Sequence, residues 1–166
     1  MATGPKAGAR RVGSLPAQQA GADPLQTWCP DLDQWPRSWA YEAGDIPPGQ
    51  RLVECFKPFL RTLLALRLSR QTLRRHRDNI WLLGGEVIRE LQMDSALRRR
   101  PIEQVVRGLV GEDGGPLLSH GQSETEQRAF DATCRKLSRF LADPESSRGQ
   151  AGHERAREPL NQRRTD

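Results

Sequence analysis

What most limits the folds open to this chain is the placement of its large apolar side chains. They lie mainly within residues 52–141 and recur there at three- and four-residue steps. That spacing puts them on one face of a helix, whereas a half-buried strand would alternate every second residue. Elsewhere aliphatic side chains are sparse: Val12, Leu15 and Leu25 within residues 1–27, and Leu160 alone within residues 142–166. A segment with so little apolar area to bury cannot offset the entropy of ordering it. The sequence therefore predicts an all-α protein, a small orthogonal bundle of four to five helices over residues 49–141. A disordered leader over 1–27 and a disordered tail over 142–166 are expected to flank it. Between leader and body, residues 28–48 hold Trp28, Trp35, Trp39 and Tyr41 among Pro30, Pro36, Pro47 and Pro48. Prolines at that density exclude a long helix, so an extended arm is expected. Its rings either pack on the body or form a cluster that binds a partner or stacks bases.

Within the body, Leu52, Phe56, Phe59, Leu60, Leu63 and Leu64 mark a first helix from Gln50 to Leu66. Pro58 lies inside it and is expected to kink it or to begin a second helix. Ser69 is a good N-cap for the next helix. Its stripe is Leu73, Ile80, Leu83, Val87 and Leu91, with His76 in register. Gly84 and Gly85 interrupt good helix formers there. Either the helix bends at that point or a neighbour comes close enough to need the missing side chains. Pro101 opens a third helix that buries Ile102, Val105, Val106 and Leu109. Residues 111–121 are a loop by composition. Ser123 and Glu126 then form a capping box for a last helix over Glu124–Leu141, with Phe130, Thr133, Cys134, Leu137, Phe140 and Leu141 on one face.

The residues that could support catalysis are few and scattered. No phosphate-binding glycine loop, dinucleotide fingerprint or nucleophile elbow is present. His76, His120 and His153 are far apart, and no base–nucleophile pair can be assembled from them. Cys29, Cys55 and Cys134 are odd in number and widely spaced, which argues against a disulfide framework or a zinc ribbon. Reduced thiols fit a cytoplasmic setting, and no apolar run is long enough to span a bilayer. The expectation is a non-enzymatic protein with no metal, no cofactor and no small-molecule substrate.

The charge pattern is more informative. The chain carries a net charge of +5. The excess resides in residues 47–111, where every basic residue except Lys57 is arginine. On a helical wheel with Leu73 at zero, Arg77, Arg70 and Arg74 fall at about 40°, 60° and 100°, with Trp81 at about 80°. Arg67 extends the same flank, Arg75 lies close by in sequence, and Arg98, Arg99 and Arg100 form a second cluster. Only Asp78 and Glu86 could relieve the strip locally. It is either an ordinary solvated face or the electrostatic footprint of a nucleic-acid or acidic-protein partner.

The stretch from Pro58 to Leu83, PFLRTLLALRLSRQTLRRHRDNIWLL, resembles the N-terminal core-binding, SAM-like domain of tyrosine recombinases and phage integrases. The resemblance rests on Leu68, Ser69 and Thr72, followed by Arg74, Arg75 and Ile80. It implies a helical module that lies against one side of DNA, with the arginines of 67–77 toward phosphates. The catalytic domain of that family has no counterpart in this chain, and the only tyrosine, Tyr41, lies in the proline-rich arm. The expected function is thus DNA binding without chemistry, through Arg67, Arg70, Arg74, Arg75, Arg77, Trp81, Arg98, Arg99 and Arg100. The alternative is a protein-interaction module that uses Trp28, Trp35, Trp39 and Tyr41, with the basic strip meeting an acidic partner.

Overall fold

A computed structural model of the chain describes Gly21, residues 23–119 and 121–143, and Glu145. Residues 1–20 and 22 of the leader expected over 1–27, and most of the tail expected over 142–166, lie outside the described residues. Within them the fold is all-α, with six α-helices, three short 3₁₀ turns and no strand.

Helices α1 (Pro24–Trp28) and α2 (Trp35–Trp39) come from the segment expected to be extended. The extended arm is therefore corrected to a string of short helical turns. The prolines sit in first turns, at Pro24 and Pro36, where the missing N–H would have had no partner. The leader boundary moves as well. Asp23 caps α1 by accepting from the Leu25 N–H at 3.0 Å and is held by Arg61 at 2.7 Å, while Leu25 is only 2% exposed.

Helix α3 (Ile46–Ala65) starts earlier than expected because Pro47 and Pro48 occupy its first turn. It runs through Pro58 as one helix, and Thr62 donates its hydroxyl to the Pro58 carbonyl at 3.0 Å. Helix α4 (Arg70–Met93) is capped by Ser69, whose Oγ accepts from the Thr72 N–H at 3.2 Å. Helix α5 (Ile102–Leu109) takes Pro101 as its cap and buries Val105 and Val106, with Ile102 and Leu109 half-buried. Helix α6 (Glu124–Ala142) begins at the expected capping box and buries Phe130, Thr133, Cys134, Leu137 and Leu141.

Helix α3 is the hub, packing against α1, α2, α4 and α5, while α4 also packs against α6. The helices run antiparallel in turn. Asp45 at the start of α3 meets Gln92 at the end of α4 at 2.6 Å. Asn79 of α4 reaches Thr133 of α6 at 2.8 Å, and Glu86, farther along α4, reaches Ser119 ahead of α6. The start of α4 therefore lies beside the end of α6. Phe59 and Phe140 close that end of the core with ring centroids 5.5 Å apart.

The glycine pair in α4 does not break the helix. A Cβ on Gly84 would lie 2.1 Å from Trp39 Cζ2. The missing side chain is the seat of the Trp39 indole, whose Nε1 donates to the Trp81 carbonyl at 2.9 Å. The close neighbour is thus α2, docked against α4.

Candidate nucleic-acid interface

The start of α4 gathers the arginines singled out in the sequence. Arg67, in the turn before the helix, and Arg70, Arg74 and Arg75 are all exposed. None of the four forms an ion pair among the described residues. The first turn of α4 contains no acidic residue. These charges therefore stand where the helix dipole is already positive, and no carboxylate among the described residues pairs with them. Arg77 differs from the rest. It is partly buried, and its guanidinium contacts Asp78 Oδ1 at 2.9 Å.

Trp81 does not stand free. Its indole N–H donates to Ser38 Oγ at 3.0 Å and its carbonyl accepts from Trp39, leaving the residue 38% exposed. It joins α4 to α2. Of the arm's aromatics, Trp35 and Trp39 are core residues with centroids 5.7 Å apart. Trp28 is half-buried, and only Tyr41, at 68%, is largely exposed. The partner surface expected from these four residues shrinks accordingly, since two rings are spent on the core.

The second arginine cluster is split by the fold. Arg98 is engaged within the fold. Its Nη2 donates to Asp45 Oδ1 at 2.7 Å and its Nε to the Leu91 carbonyl at 3.0 Å. Asp45 is fully buried and also accepts from the N–H groups of Tyr41 and Glu42 and from Gln92. Burial pushes its carboxyl up, but the donors of Glu42, Tyr41, Arg98 and Gln92 together outweigh that and hold it below the ordinary carboxylate value. A buried carboxylate needs such partners, and Arg98 is the one that balances its charge. Arg99 and Arg100 remain exposed, at the other end of α4 from the strip.

Helix α6 contributes what the sequence alone does not place. Because the end of α6 lies beside the start of α4, Lys136 and Arg139, both exposed, extend the basic end of the bundle. Between the two helices His76 is only 6% exposed. Its Nδ1 lies 2.9 Å from Thr133 Oγ1, which also accepts from Asn79 Nδ2 at 2.8 Å. Burial, then the positive charges of Lys136 and Arg75, push the imidazole pKa down. The capping box fixes the register of α6, but carries no sign of which helix α6 lies against.

The three thiols are free and buried, each pushed up to about 12 mainly by burial. At that value they stay protonated and unreactive. Among the described residues no cluster of His, Cys, Asp and Glu could hold a metal ion, and no helix is long and apolar enough to cross a membrane. No protein-family model, no curated protein and no solved structure matches the chain.

Proposed function

We propose that the protein binds DNA through the phosphate backbone and performs no chemistry on it. The surface is the basic end of the bundle: Arg67, Arg70, Arg74 and Arg75, with Lys136 and Arg139 beside them. One observation carries this reading. Four exposed arginines crowd the positive end of a 24-residue helix with no carboxylate pairing them among the described residues. Such self-repulsion is offset when an anion docks, and arginine's planar fork suits phosphate oxygens. The likeness of Leu68, Ser69 and Thr72 and the basic helix after them to the recombinase core-binding module supports the same surface. Arg98, which neutralises Asp45, and Trp81, which joins α4 to α2, are left out of it, and Arg77 is a minor contributor.

Fluorescence anisotropy of the full chain with random duplex DNA, titrated across salt, tests the proposal. Each phosphate neutralised adds about 0.9 to the slope of log affinity against log salt, so four arginines give a slope of about −3 or steeper. The double variant Arg70→Glu, Arg74→Glu is expected to lose binding while its far-UV circular dichroism stays that of the wild type. Absence of binding at low salt, or a folded double variant that binds as tightly as the wild type, overturns it.

A further inference from the structure

The seam between α4 and α6 holds a polar side chain whose second nitrogen has no partner among the described residues. His76 is more than nine-tenths buried, and its Nδ1 is taken up by Thr133. Its Nε2 makes no hydrogen bond among the described residues, yet no buried side-chain nitrogen or oxygen there lacks a partner. The ring is thus held from behind, and its far nitrogen is not fully buried. The charged groups that act on it are Arg75 from its own helix and Lys136 from α6. No carboxylate is among them, although one would favour the charged imidazole.

The network behind the ring has room for a second proton. Asn79 donates to both Thr133 Oγ1, at 2.8 Å, and the Ala129 carbonyl, at 3.0 Å. The Thr133 hydroxyl has that same carbonyl as an acceptor at 3.3 Å. When its hydrogen points there, Thr133 Oγ1 accepts from His76 Nδ1–H, and the charged ring keeps a satisfied partner while Nε2–H points outward. In the imidazolium both nitrogens are donors.

We propose that His76, Arg75 and Lys136 form a phosphate subsite at the outer edge of the α4–α6 seam, and that filling it takes up one proton at His76. The inference rests on the nucleic-acid reading above and adds its regulation: the same surface grips a phosphate more tightly as the pH falls. The proton moves from solvent to Nε2 and no covalent bond to the ligand forms. In the free protein burial and the two neighbouring cations disfavour the charged ring. A bound phosphate oxygen cancels that repulsion and accepts from Nε2–H, which favours the charged form. Affinity then rises as pH falls through the midpoint of the complex and levels off below that of the free protein, by about tenfold for each unit separating the two midpoints.

Two measurements on the full chain test this. The first is duplex affinity at fixed ionic strength between about pH 8 and about pH 5.5, a range that spans the ordinary histidine titration, for the wild type and for His76→Gln. The glutamine keeps an amide for Thr133 and cannot charge. The expected result is affinity that rises on acidification in the wild type and stays nearly flat in the variant. The second is an NMR titration of the His76 ring in the wild type, free and saturated with duplex, which does not depend on how the variant folds. The midpoint is expected to move up in the complex. An unmoved midpoint, or a folded variant that keeps the full pH dependence, overturns the subsite while leaving duplex binding at high pH intact. No duplex binding at any pH overturns the nucleic-acid reading and the subsite with it.

Discussion

The two halves of α4 both carry arginine, yet their physical roles are opposite. The first half holds Arg70, Arg74 and Arg75, exposed and without carboxylate partners among the described residues. The second half is tied down on every side. Trp39 sits on Gly84, Glu86 grips Arg89 and Ser119, and Gln92 reaches Asp45, which Arg98 balances. A count of charges along the chain treats Arg74 and Arg98 alike. The fold does not, because only Arg98 has a buried carboxylate waiting for it. A positive charge is a candidate for binding once the carboxylates that the interior must neutralise have been served.

The largest effect should come from the Trp39 seat. Gly84→Ala would place a Cβ 2.1 Å from Trp39 Cζ2, against an indole anchored by its hydrogen bond to the Trp81 carbonyl. The expected loss is about 3 kcal/mol in urea unfolding, at the upper end of usual overpacking costs. Gly85→Ala is the internal control. Its Cβ would sit 3.6 Å from Trp39 Cδ1, an ordinary contact, and alanine improves helix propensity by up to about 1 kcal/mol. A neutral Gly84→Ala would erase the claimed difference between the halves of the helix.

Next is Arg98→Ala, expected to cost about 2 kcal/mol. Breaking a fully buried pair costs roughly 3–5 kcal/mol. The figure here is lower because Asp45 keeps its bonds from Tyr41, Glu42 and Gln92, and the Arg98 side chain is 30% exposed. DNA affinity should change little. A folded Arg98→Ala protein that loses DNA binding as completely as the Arg70, Arg74 double variant would break the comparison, since Arg98 would then belong to the binding set.

A smaller effect should appear on the acid side of the stability curve. Burial raises both Asp45 and Glu86, but for Glu86 the donors Ser119 N–H, Arg89 and the Ser119 hydroxyl prevail, as the donors around Asp45 do there. Both folded values thus lie below the ordinary ones of 3.8 and 4.5. A group lowered on folding stabilises fully above its unfolded value and loses that contribution as pH falls through the folded value. Stability should therefore fall below about pH 4.5, and Asp45→Asn should be weaker at neutral pH with a shallower acid limb. An acid limb as steep in Asp45→Asn as in the wild type would mean that other carboxylates govern it.

These tethers also mark what the sequence could and could not disclose. The helix faces, the Ser69 cap and the Ser123–Glu126 capping box are readable because each depends on neighbours within about one turn. The arm reads as extended only if proline density counts as exclusion, whereas prolines in first turns fit short helices. Asp45 is locally no more than the far side of a capping box with Glu42. Its burial depends on Gln92 and Arg98, 47 and 53 residues away. Gly84 is visible as an anomaly, yet its cause is an indole from another helix. The basic face is half legible: its arginines lie on α4, but Lys136 and Arg139 join only through the antiparallel packing of α6.

The smallest effect sharpens the comparison most. Arg74→Ala removes an exposed charge that no described carboxylate pairs, from the positive end of a helix. Exposed substitutions of this kind stay within about 0.5 kcal/mol. Alanine has the better helix propensity and relieves repulsion with the dipole and with Arg70, so the sign should be stabilising. The change should shrink in high salt, because screening weakens the repulsion that the wild type carries. The same substitution should weaken duplex binding and make its salt slope shallower by about 0.9, the contribution of one phosphate contact. A residue whose removal helps the fold and hurts binding is held for the partner. If Arg74→Ala instead destabilised the protein by as much as Arg98→Ala, the first half of α4 would serve the fold no less than the second, and its arginines would have no claim to be an interface.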